Sequence, residues 1–72
     1  MSAKLCKSVL KSLVQEIDKA AFRAEVSFGT VLNAVVESHP EITVSEAEWD
    51  RLSEEAQNAV VERAKVTLGA IG

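Results

Sequence analysis

The sequence predicts an all-α protein, a compact bundle of three to four short helices in a single domain over residues 1–72. Three observations support this fold class. Apolar residues recur every three or four positions along most of the chain, which is the period of an amphipathic helix. Serines precede several of these stretches, where helix N-caps are expected. Hydrophobic residues make up 47% of the 72 residues, which is too many for a disordered chain.

The first helix is predicted from about Ala3 to Ala24. Its buried face is expected to contain residues at helical spacing: Cys6, Leu10, Leu13, Ile17, Ala20 and Ala24. Further apolar residues widen this face: Leu5, Val9, Val14 and Ala21. Lysines and other polar residues occupy the remaining faces, so one side of the helix is expected to lie in the core.

The second helix is predicted from Phe28 to about Ser38. Ser27 is the expected N-cap, because its hydroxyl can accept a hydrogen bond from the first turn. The buried face of this helix is expected to comprise Phe28, Val31, Leu32 and Val35. Pro40 disfavours the helical conformation at His39 and should end the helix there.

Residues 40–44 are predicted to form a short connection, with Ile42 and Val44 extended and directed into the core. Ser45 then matches the start of a capping box, in which Glu48 bonds back to the Ser45 N–H. Val44 and Trp49 flank this cap as a hydrophobic staple, so Trp49 should be at least partly buried.

The chain after Ser45 allows two interpretations. A short helix at 46–52 can be followed by a bend and a second helix from Glu54 to Leu68, because Ser53 is also a good N-cap. The alternative is one continuous helix. We favour two helices and expect Gly69 to terminate the second.

Composition excludes several classes of protein. One cysteine, Cys6, cannot form an internal disulfide, and with the single histidine, His39, it cannot complete a four-ligand zinc site. No apolar run approaches the roughly 20 residues that cross a bilayer. The first residues do not lead into the apolar segment of a signal peptide, and a free thiol suits a reducing compartment. We therefore expect a soluble cytoplasmic protein without metal or cofactor.

Candidate catalytic groups are few. Cys6 and His39 could form a nucleophile and base, but no glycine-rich turn follows the cysteine, which fits a small hydrophobic core residue better. Gly29 stands alone, so it does not indicate a phosphate-binding loop. Acidic residues are dense in the second half, where Asp50 lies among four that match first-turn helix positions: Glu46, Glu48, Glu54 and Glu55. The sequence therefore predicts a protein that is not an enzyme.

Charge is unevenly distributed along the chain. Residues 1–36 carry five basic and three acidic side chains, whereas residues 37–72 carry three basic and eight acidic ones, so the two halves have net charges of +2 and −5. Basic residues of the first helix could contact phosphates: Lys4, Lys7, Lys11 and Arg23. Nucleic-acid binding is therefore the alternative function, although acids at 46–50 would repel DNA if that helix entered a groove.

Protein–protein interaction is the function that the sequence favours. Neighbouring valines at 35–36 and 60–61 point about 100° apart, so one buried face does not readily cover both members. Either a second chain covers the excess or the short helices bury it internally. The predicted partner-binding residues are Val36, Glu46, Asp50, Glu54, Val61 and Leu68. We expect a regulator, adaptor or inhibitor, plausibly phage- or plasmid-borne, that occludes a larger protein or forms a homodimer.

Overall fold

A computed structural model describes residues 5–71 and confirms the all-α fold. Within these residues the chain forms four α-helices and one turn of 3₁₀ helix. The α-helices are α1 (Lys7–Ala24), α2 (Phe28–Ser38), α3 (Glu46–Arg51) and α4 (Glu54–Gly69), and the 3₁₀ turn is Pro40–Ile42. The longest helix, α1, packs against all three others.

The start of α1 differs from the prediction. Leu5 and Cys6 precede the helix, whose first residue is Lys7, and the predicted start at Ala3 lies outside the described residues. Both residues are apolar and packed inward, so the hydrophobic pattern begins before the first residue of the helix. The buried face of α1 comprises Val9, Leu13, Ile17, Ala20 and Ala21. Leu10 and Ala24 are only partly buried, and Val14, which was predicted on this face, is 41% exposed.

The end of α1 is a left-handed turn at a residue other than glycine. Glu25 has φ 57° and ψ 42°. Its N–H donates to the Phe22 carbonyl over 3.3 Å, and the Val26 N–H donates to the Ala21 carbonyl over 3.1 Å. These two bonds form a Schellman motif, which satisfies carbonyls that the end of a helix leaves unpaired.

The second helix forms as predicted, whereas the 40–44 connection differs from its prediction in one respect. The Ser27 hydroxyl accepts a bond from the Thr30 N–H as expected, and α2 ends before Pro40. Ile42 is fully buried as predicted, but it lies in the 3₁₀ turn and is not extended. Pro40 begins this turn because its fixed φ suits a helical first position. Val44 is half-buried against the core.

Residues 46–69 form two helices, which confirms the favoured interpretation. The Ser45 and Ser53 hydroxyls accept bonds from the Glu48 and Ala56 N–H groups. The return bond predicted from the Glu48 carboxylate to the Ser45 N–H is not formed, so only half of the capping box is present in the described structure.

The end of α4 lies one residue later than predicted. Gly69 is the last helical residue, and Ala70 follows in a right-handed conformation. The glycine is therefore not used for a left-handed turn.

The core explains the paired valines without a second chain. Val35 is fully buried and Val60 is 9% exposed, whereas Val36 and Val61 are half-buried and pack against the same cluster. Trp49 is only 5% exposed, which confirms its predicted burial. The structure thus favours internal burial for both valine pairs, because α2 and α4 also contact each other.

Candidate protein-interaction surface

The most exposed large apolar side chain among the described residues is Phe22, at 87% exposure. It lies five residues after buried Ile17, which places it about 140° around α1 from the core-facing side. The Schellman turn then directs the chain away immediately after this position. An aromatic ring so fully in water contributes little to the core, and aromatic side chains are enriched at the centres of protein contacts.

An open groove of about 470 Å³ lies beside this ring, lined by Gln15, Asp18, Lys19, Phe22 and Arg23. Four of these residues are spaced i, i+3, i+4 and i+7 on α1. In knobs-into-holes packing, four side chains at this spacing surround the hole that receives a side chain of a facing helix. We call Phe22 and this groove the α1 outer face.

One edge of the α1 outer face is held in place by Arg23. Its Nε donates to the Ile71 carbonyl over 3.1 Å, and its Nη2 donates to the Leu68 carbonyl over 2.8 Å. Leu68 is in the last turn of α4, where its carbonyl also accepts from the Ile71 N–H over 3.2 Å, so Arg23 adds a second bond to it. Arg23 therefore caps α4 and connects it to α1, which gives the groove a fixed wall.

At the other end of α1, the Glu46 carboxylate completes the helix start. Its Oε1 accepts from the Cys6 thiol over 3.2 Å and the Ser8 N–H over 3.3 Å, and its Oε2 accepts from the Ser8 hydroxyl over 3.2 Å. Cys6, the N-cap residue, makes no capping bond itself. Glu46 supplies this cap from α3, so its predicted role in partner binding competes with an internal one.

These bonds lower the pKa of Glu46 below its ordinary value of 4.5. The hydrogen bond from the Cys6 thiol is the largest cause, and bonds from the Lys7 and Ser8 N–H groups and the Ser8 hydroxyl add to it. Partial desolvation acts in the opposite direction.

The candidate catalytic pair, Cys6 and His39, is not brought together. Cys6 bonds to Glu46, whereas the His39 ring bonds the Thr67 hydroxyl through Nε2 and lies 3.5 Å from Glu41 through Nδ1. The latter contacts have the order of a hydroxyl, imidazole and carboxylate triad. Thr67, however, is in the last turn of α4, where neighbouring N–H groups already bond within the helix and cannot form an oxyanion hole.

Arg63 extends this cluster, since its Nη2 lies 3.8 Å from the Glu41 carboxylate. The cluster of His39, Glu41, Arg63 and Thr67 therefore joins the end of α2 and the 3₁₀ turn to α4. We assign it a structural role.

The predicted partner-binding residues do not form one surface. Asp50 and Glu54 are exposed near the α3–α4 turn, and Val36 and Val61 are half-buried against the core. Leu68 is fully buried, so its side chain is unavailable to a partner in this fold.

The residues predicted to contact nucleic acid do not all have side chains free for such a contact. Lys7 and Lys11 are exposed on α1, while Arg23 caps α4 and Lys4 lies outside the described residues. Over residues 5–71, no cluster of three or more His, Cys, Asp or Glu side chains could hold a metal ion. In the same part of the chain, the length and apolar content of each helix fall short of a membrane span.

Comparison with known proteins adds no family assignment. No protein-family model matches this sequence, and neither a curated protein nor a solved structure is significantly similar to it.

Phe22 is not among the partner-binding residues predicted from the sequence, although a signal for its exposure was present. It is the one aromatic residue that falls outside every predicted buried face and hydrophobic staple. An aromatic residue on the polar side of an amphipathic helix is expected to be exposed.

Proposed function

We propose that this chain is a small non-catalytic protein-interaction module that contacts a protein partner through the α1 outer face. As a regulator, adaptor or inhibitor in the cytoplasm, it would act by covering a surface on that partner. No covalent chemistry is required for this role, because occlusion needs only a complementary contact.

The observation that carries this proposal is the 87% exposure of Phe22 beside a groove. Burying a phenylalanine side chain stabilises a contact by roughly 1.5–3 kcal/mol, which is a large share of a micromolar affinity of about 8 kcal/mol. Aromatic side chains that enter partner pockets commonly dominate binding energy. The fixed position of Arg23 lowers the cost of ordering the surface on binding.

The test is site-specific photocrosslinking inside cells. A photoreactive phenylalanine analogue at position 22 should form a covalent adduct with another protein chain, identified by mass spectrometry. The matched control carries the same analogue at Val66, which is also strongly exposed, at 74%, but lies on α4 and does not line the groove. Absence of an adduct at position 22, or equal adducts at both positions, would contradict the proposal.

Nucleic-acid binding remains the second candidate because Lys7 and Lys11 are free of ion pairs within residues 5–71 and exposed. Binding to random duplex DNA should then fall steeply with salt, since phosphate contacts release counterions. Lys7→Glu and Lys11→Glu would each reduce it, while Phe22→Ser would not. If the chain binds a protein instead, Phe22→Ser should reduce binding of that partner.

A further inference from the structure

We draw no further inference here: the strongest candidate, the exposed side of α1 on which Lys7 and Lys11 continue the α1 outer face toward the start of the helix, carries charges that any solvated helix carries, and nothing in residues 5–71 shows what covers it.

Discussion

At the scale of single residues, Glu46 shows how one carboxylate can serve two helices. It is the first residue of α3, where its negative charge interacts favourably with the positive end of the helix dipole. It also caps the start of α1. The sequence indicates only the first role, because the second depends on a contact between residues 38 positions apart. Spacing rules describe neighbours along a helix and cannot detect such a pairing.

We expect Glu46→Gln to destabilise the fold at neutral pH and to lose this effect in acid. The folded-state pKa of Glu46 is lowered, so its ionised form stabilises the fold at pH values above the unfolded pKa of about 4.5. This contribution is lost as the pH falls through the lower folded pKa. Urea denaturation of wild type and variant across this range should therefore give free energies of unfolding that converge at low pH.

Glu48→Gln is the control for this experiment, because it removes one negative charge from the same helical turn without removing a side-chain hydrogen bond. A gap between wild type and Glu46→Gln that stays constant down to strongly acidic pH would contradict the assigned bonds. So would equal effects of the two substitutions at neutral pH.

At the scale of helices, the starts of α2, α3 and α4 and the end of α1 at Ala24 were predictable, whereas the start of α1 was not. A serine N-cap accepts a hydrogen bond from the N–H only three residues later, so the capping roles of Ser27, Ser45 and Ser53 can be predicted from local sequence. α1 begins after Cys6 without a capping side chain of its own. The left-handed turn after its last residue, Ala24, is made by Glu25, a residue type that gives no sign of such a turn. Tertiary contacts and backbone geometry set these two ends.

We expect Glu25→Gly to stabilise the protein by about 0.5–1 kcal/mol relative to Glu25→Ala. A side chain in the left-handed region costs roughly 1–2 kcal/mol, and glycine avoids that cost while losing somewhat more backbone entropy. Comparison with alanine removes the effect of the carboxylate near the negative end of the α1 dipole. Thermal or urea denaturation measures the difference, and equal stability of the two variants would exclude a strained turn.

At the scale of the whole molecule, one cluster of buried residues draws on all four α-helices and the 3₁₀ turn. The sequence predicted most of this cluster, including Trp49, because burial follows helical periodicity and staple positions. It could not decide between internal burial and a second chain for the valine pairs. That choice depends on how α2 and α4 approach each other, which no local pattern encodes.

We expect Trp49→Ala to unfold the entire chain and not α3 alone. Loss of a buried tryptophan costs roughly 3–5 kcal/mol, which matches the roughly 3–5 kcal/mol that one core supplies to so small a domain. Circular dichroism should show loss of helix well beyond the six residues of α3. Trp49→Phe should retain the fold, and an alanine variant that lost only those residues would contradict a single cooperative core.

The two helix-end caps described above also bear on how the chain folds during synthesis. α1 is made early, but its start is closed by Glu46 of α3, and the end of α4 is closed by Arg23 of α1. Ribosomes add about 5–20 residues per second, so α1 waits for seconds before its cap emerges. Until then its N-terminal N–H groups and its apolar face are open to water. Nascent chains arrested with α1 outside the ribosome but Glu46 still inside the exit tunnel should therefore be protease-sensitive along α1, and chains that expose the whole sequence outside the ribosome should be protected.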